Sequence, residues 1–220
     1  MTPAVDTRSA RRKMDRLLTR ERVLWESGLE HVAGVDEAGV GPLAGPVVAA
    51  AVVFPRGCGV LGVNDSKTIE PQRRESLAVE IRERALAFAV AVVEADEIDR
   101  VNVYQATLRA MARALFALSV APQHVLVDAR RIPGCDVPQE AIIKGDTLCH
   151  AIAAASILAK TARDALMRGY DAAYPGYGFA EHKGYSTDAH RDAIKRLGPC
   201  AIHRRSFTLL RPPTLWDSSS

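Results

Sequence analysis

Two rhythms of apolar residues alternate along this chain, and they predict its elements. Residues 8–27 put Met14, Leu17, Leu18, Val23 and Leu24 on one side of a charged amphipathic helix. His31 to Asp36 reads as a short strand. "PVVAAAVVF", from Pro46 to Phe54, is a continuous apolar run closed by Pro55, the pattern of a strand buried on both faces. A loop over 56–68 carries Gly57, Gly59, Gly62 and "NDSK". Leu77, Ile81 and Ala85 then recur at i, i+4, i+8 and predict a helix over 71–86. Phe88 to Val93 reads as a third strand. Thr107, Met111, Ala114 and Leu118 form one stripe of a helix over 102–118. Val125 to Asp128 and Ala141 to Ile143 read as short strands, and Leu148 to Tyr170 as a long, mostly apolar helix. Residues 171–187 are loop-rich, and 187–197 read as a short basic helix. Strands alternating with helices predict an α/β domain with a central mixed β-sheet flanked by helices.

Composition narrows the class. With 48% hydrophobic and 25% charged residues the chain has the balance of a globular protein, not of a disordered one. Cys58, Cys135, Cys149 and Cys200 form no CxxC pair, which argues for reduced thiols over a zinc site or a disulfide framework. Arg8 to Lys13 leads into no apolar core, so no secretory signal is expected. The longest apolar run is about half of the ~20 residues a membrane span needs. A cytoplasmic protein without a membrane partner is expected. Charge is distributed unevenly. Residues 31–181 carry 15 basic and 18 acidic side chains, a net of −3. Residues 182–212 carry seven basic against two acidic, a net of +5, with His182, His190 and His203 in the same stretch. An acidic body with a basic C-terminal segment suits a polyanionic partner or a solubilising surface.

The stretch "GVDEAGVGPLAGP", Gly34 to Pro46, carries the first chemical signal. Its glycines resemble a dinucleotide-binding fingerprint, but such a loop must open a helix whose amides hold the pyrophosphate. Here the loop enters a valine-rich strand. Asp36 and Glu37 would also repel a phosphate unless a cation stood between them. The loop therefore reads as a strand–turn–strand connection in which glycine permits close approach to a ligand. Adjacent residues on a regular strand point to opposite faces, so Asp36 and Glu37 share one site only if the strand bends. Asp128 ends the apolar run "VLVD", and Asp146 in "IIKGD" follows another. Carboxylates gathered at strand and turn ends, with no Cys or His pattern, suit Mg²⁺ or Mn²⁺. A pair of such cations catalyses in-line attack on a phosphodiester.

"AGVDEAGVGPLAGPVVAAAVV", "NDSK", "VLVDAR", "KGD", "AAASILAKTARD", "YGFAEHKGY" and "HRRSF" occur in this order, and together they resemble the type 2 ribonucleases H (ribonuclease HII) from about residue 31 to 208. The resemblance implies a ribonuclease H-like fold with a C-terminal helical extension. It divides the chain into a charged helical segment (1–30), a catalytic domain (31–212, with the extension over about 171–212) and a flexible tail (213–220). It implies metal-dependent hydrolysis of the RNA strand of RNA–DNA hybrids. It also implies cleavage 5′ to a single ribonucleotide in duplex DNA, giving 3′-hydroxyl and 5′-phosphate ends by a two-metal mechanism, in a monomer.

Carried over by motif, the catalytic and metal-binding residues are Asp36, Glu37, Asp128 and Asp146. Asp164 in "ARD" reads instead as a helix-surface or buried salt-bridge residue. Tyr185 is similar to the tyrosine that stacks on the sugar beside the ribonucleotide. Gly39, Val40 and Gly41 form the loop that senses the 2′-hydroxyl, and Lys67, His182 and Lys183 are phosphate-contact candidates. Arg204 and Arg205 read as nucleic-acid contacts or as solvated residues. One departure stands out: the family usually has Arg or Lys where this chain has Val40. Backbone groups can still sense the 2′-hydroxyl. A cation near the scissile phosphate is lost, so weaker binding or a catalytically weakened, nucleic-acid-binding member is an alternative. Arg130, where the family more often shows Gly-Asn for Ala129-Arg130, is a candidate replacement charge. A ribonuclease HIII-like enzyme is the other alternative, but about 30 residues ahead of Asp36 are too few for its extra N-terminal domain.

Overall fold

A computed structural model describes residues 7–210, so the expected tail at 213–220 lies outside the described residues. Five strands, β1 (Val32–Ala38), β2 (Val47–Val53), β3 (Ala87–Val93), β4 (His124–Asp128) and β5 (Gln139–Ile142), form a mixed sheet in the order β3-β2-β1-β4-β5. β2 pairs antiparallel with β1 and β3, whereas β4 is parallel to both β1 and β5. Every residue of β2 is buried because helices cover both faces of the sheet. Its valines and alanines suit that position: they are compact, apolar on either face, and in the valines β-branched.

The helices are α1 (Thr7–Leu17), α2 (Thr19–Glu26), α3 (Pro71–Arg84), α4 (Ala95–Val101), α5 (Val103–Phe116), α6 (His150–Ala173), α7 (Phe179–His182) and α8 (Asp188–Leu197). On one face, α5 packs Ala106, Met111 and Ala114 against Val35, Ala49 and Val127. On the other, α3 and α6 cover Val48, Ala50 and Val52. The alanines of α6 let it lie very close to β1. A Cβ on Gly34 would stand 2.1 Å from the Ala151 carbonyl carbon, so glycine is required there by contact rather than by backbone angle.

Several boundaries differ from expectation. The helix expected over 8–27 is two helices broken around Leu18. The Thr19 hydroxyl donates to the Arg16 carbonyl at 2.7 Å, a local bond that competes with helix continuation. Leu17 and Leu18 face inward as expected, but Val23 is exposed, and Glu21 and Trp25 are buried in its place. α4 was not expected, being too short to show a stripe. It stops at Asn102, whose backbone is left-handed (φ 67°) and whose side chain accepts the Gln105 N–H at 3.0 Å to start α5. The loop expected over 171–187 contains the single turn of α7.

Candidate active site

The parallel register of β1 and β4 sets the carboxylates side by side. Val35 lies opposite Val127, so Asp36 and Asp128 are the next residues on neighbouring strands, at their C-terminal ends. Strand alternation turns Asp36 toward α6, where Ser156 hydrogen-bonds it, and Glu37 toward α5. The two nevertheless meet over the end of the strand. One oxygen from each of Asp36, Glu37 and Asp128 lies within 4.8 Å of the others. The Glu37 N–H donates to Asp36 Oδ1 at 2.7 Å, and the Gly145 N–H to Asp128 Oδ1 at 2.7 Å. Arg130 Nη1 donates to Glu37 Oε1 at 2.9 Å, which puts that guanidinium on the carboxylate cluster.

Electrostatics mark the cluster as incomplete. Burial, followed by the charges of Glu37 and Asp128, holds the Asp36 carboxyl well above the ordinary aspartate range. Burial also raises Glu37, with Arg130 opposing it. Asp146 lies in the short 3₁₀ turn Gly145–Thr147 beside the trio, and is raised by burial and then by Asp65 and Asp128. Glu37 Oε2 is buried with no protein partner. Crowded hard oxygen donors with one left unsatisfied fit a divalent cation such as Mg²⁺ or Mn²⁺.

The glycine loop closes the other side of a cleft of about 300 Å³ lined by Asp36, Glu37, Asp128, Asp146, Gly39–Gly41, Lys67, Lys160 and Tyr185. Two fully buried arginines hold this loop, and neither forms an ion pair among the described residues. Arg204 donates to the carbonyls of Gly39, Val40 and Gly45. Arg163 donates to those of Ala44, Pro46 and Lys183. With these carbonyls taken from behind, and among the described residues, the Val40 and Gly41 N–H groups have no protein acceptor. Gly39, at φ 95°, leaves no room for a side chain: a Cβ would meet Arg163 Nε at 2.1 Å.

Tyr185 stands 41% exposed at the cleft, its ring 5.9 Å from both Lys160 Nζ and Arg163 Cζ. His182 and Lys183 do not line the cleft. Both His182 nitrogens are occupied: Nδ1 accepts from Gly184 N–H at 3.1 Å, and Nε2 meets the Tyr177 carbonyl at 2.8 Å. Lys183 has left-handed backbone (φ 51°), and its ammonium donates to the Ala180 carbonyl. Arg204, expected at a nucleic-acid surface or in solvent, is buried behind the loop, while Arg205 is exposed. Asp164 is buried and paired with Arg74 at 2.9 Å and Lys160 at 2.6 Å. Neither Arg163 nor Ser156 carried a sequence signal of its own, because both lie within the apolar pattern of one long helix.

A mixed sheet whose parallel strands end in clustered carboxylates, under a loop offering free backbone N–H groups, defines a metal-dependent nuclease of the ribonuclease H-like class. The family model for Ribonuclease HII matches residues 33–210, and the chain belongs to that family. It is 55% identical over 205 residues to the ribonuclease HII of Myxococcus xanthus (strain DK1622), covering 93% of this chain and 70% of that protein. With that of Moorella thermoacetica (strain ATCC 39073 / JCM 9320) it shares 52% over 197 residues, covering 90% and 96%. The crystal structure of ribonuclease H2 from Pyrococcus horikoshii OT3 superposes with a TM-score of 0.68 at 28% identity, over 81% of this chain and 94% of that one. The chain is accordingly a ribonuclease H, a hydrolase of the RNA phosphodiester backbone that depends on divalent metal. No helix among the described residues is long and apolar enough to cross a membrane.

Proposed function

We propose that this chain, acting as a cytoplasmic monomer, cleaves RNA in RNA–DNA hybrids and cuts 5′ to a single ribonucleotide embedded in duplex DNA. The products are a 3′-hydroxyl and a 5′-phosphate. The observation that carries this reading is the single cleft in which the carboxylate trio, two unpartnered loop N–H groups and the Tyr185 ring face one another. Asp36, Glu37, Asp128 and Asp146 would hold two Mg²⁺ or Mn²⁺ ions. When bound, such ions supply Lewis-acid charge to the attacking water and the leaving 3′-oxygen. The Val40 and Gly41 N–H groups are suited to hydrogen-bond the ribose 2′-hydroxyl, the one group that separates RNA from DNA there. Tyr185 offers a flat apolar face to the neighbouring sugar. Lys67 and Lys160, both on the cleft wall, are placed to meet backbone phosphates, and Lys183 lines the adjoining depression with Lys160.

The test is cleavage of a DNA duplex containing one ribonucleotide, with an all-DNA duplex and an RNA–DNA hybrid alongside and the product ends mapped. Cutting 5′ to the ribonucleotide, dependent on Mg²⁺ or Mn²⁺ and absent from all-DNA, is expected. Cleavage of the hybrid alone would remove the single-ribonucleotide part of the reading.

A further inference from the structure

Behind Tyr185 lies a run of imidazoles that the reaction itself does not use. His190, in α8, and His203, in the C-terminal segment, are fully buried, with their Nε2 atoms 3.1 Å apart. The surrounding bonds leave one neutral arrangement. The Cys200 N–H donates to His203 Nδ1 at 2.9 Å, so the proton of His203 is on Nε2. That N–H then donates to His190 Nε2, which leaves His190 its proton on Nδ1. His190 Nδ1 lies 2.9 Å from the Tyr185 carbonyl and donates to it. His182 stacks on His190 with ring centroids 4.3 Å apart, and Phe179 packs edge-on to His190 at 5.4 Å. Burial pushes the His190 imidazole down to about 4 and lowers His203 as well, in keeping with two neutral rings. With the Nε2 atoms of both rings and both Nδ1 atoms committed, the cluster has no lone pair to offer a metal.

The relay also touches the opposite wall of the cleft. His203 bridges to Ala44 of the glycine loop, and Gly45 N–H donates to the Ile202 carbonyl at 2.8 Å. The Gly184 carbonyl accepts the Leu43 N–H at 2.8 Å. A Cβ on Gly184 would meet the Ala44 oxygen at 2.4 Å, so loop and tyrosine turn are in direct contact.

We infer that His190 and His203 are positioning residues that fix the Tyr185 backbone relative to the glycine loop, and so set how tightly a ribonucleotide is gripped between ring and loop. This rests on the reading of Tyr185 as a substrate contact. The rings touch neither substrate nor metal site, so their effect is on KM for the ribonucleotide duplex, with divalent-metal binding untouched.

Asparagine and glutamine separate the two bonds of His190. The Asn amide nitrogen sits near the place of Nδ1 and keeps the donor to Tyr185. Gln reaches the place of Nε2, where its amide oxygen can accept the His203 N–H and keep that contact, and it abandons Tyr185. On a duplex with one ribonucleotide, His190→Gln is expected to raise KM roughly tenfold, the scale of losing one stacking contact. His190→Asn should stay within about threefold of the parent, by retaining that single bond. The Mn²⁺-induced rise in melting temperature should be the same in all three proteins. In the Tyr185→Ala background His190→Gln should add nothing further to KM. Equal loss from Asn and Gln, or additive loss in the double variant, would overturn the relay while leaving Tyr185 as a contact. A Tyr185→Ala variant with unchanged KM would overturn both.

Discussion

Replacing Asp36 by asparagine should stabilise the metal-free protein while abolishing its activity. Three carboxylates offer oxygens within 4.8 Å of one another. At an effective dielectric constant of about 20, two unit charges at that distance repel by about 3.5 kcal/mol. Arg130 offsets part of this at Glu37, and proton uptake by the raised carboxyls offsets more. What remains for Asn to relieve is on the order of 1–2 kcal/mol, the usual gain from relaxing a functional site. Asn Oδ1 still accepts the Glu37 N–H, so the strand end keeps its shape. For a domain of this size, roughly 2–8 °C in Tm follows. The assay is calorimetry in chelator and again in Mn²⁺. In chelator the variant melts higher. With metal at about a hundred times its Kd the parent gains about 2.7 kcal/mol, and the variant gains much less. Cleavage is lost in the variant throughout. A variant that melts lower in chelator, or gains as much from Mn²⁺ as the parent, would show that Asp36 is not held against its neighbours for a cation.

Four further outcomes test other parts of the structure. Glu21 is buried against the start of α6, accepting the Ala151 N–H at 2.9 Å, and burial raises its carboxyl from 4.5 to about 7. Its folded form prefers the proton, so the stability it contributes is present below pH 4.5 and falls away as pH rises to about 7, by about 3 kcal/mol; urea melts should show Glu21→Gln equal to the parent at pH 4.5 and more stable at pH 8. Arg204→Met strips donors from three buried carbonyls, at roughly 1–3 kcal/mol for each left unpaired, and should lower both Tm and selectivity for the ribonucleotide. Gly34→Ala drives a Cβ into the Ala151 backbone and should cost at least about 3 kcal/mol in thermal melts, because α6 must leave the sheet. Val40→Arg restores a cation at the loop and should tighten duplex binding at low salt, steepening the dependence of log K on log salt by about 0.9 for one added phosphate contact.

The trio of carboxylates was legible because the strands that carry them are. "VAGVDE" and "VLVD" are apolar up to their carboxylates, so a charge at the end of such a run has a reason to be there. How Asp36 and Glu37 share one site was not legible. Alternation sends them to opposite faces, and their oxygens meet only because pairing with β4 stops at Val35–Val127 and opens the strand end. Local chemistry decided what periodicity missed. The Thr19 hydroxyl breaks the first helix, and the left-handed Asn102 separates α4 from α5. Histidines and lysines in a glycine-rich turn look like phosphate contacts in sequence. His182 spends both nitrogens on backbone groups, which only the fold of the turn reveals.

The arginines teach the sharpest version of this. A basic C-terminal segment suggests charge displayed to a polyanion, yet Arg204 points inward and Arg163 was hidden in an apolar helix. Both satisfy their guanidinium donors with carbonyl oxygens, which neutralise no charge. Burial, and for Arg204 the nearby Arg163, therefore push both groups below the usual arginine range, the sign of cations held without adequate compensation. Such an arrangement costs stability unless the hydrogen bonds are complete, and here every donor group of Arg204 reaches a loop carbonyl. In return the loop is held from behind, its carbonyls face inward and its N–H groups are left for the cleft. Two positive charges also lie behind it, screened less by salt than a surface side chain would be. Valine at position 40 removes a cation from the face of this loop but leaves the pair behind it. The chain consequently keeps two positive charges close behind the loop that lines the cleft of the three carboxylates.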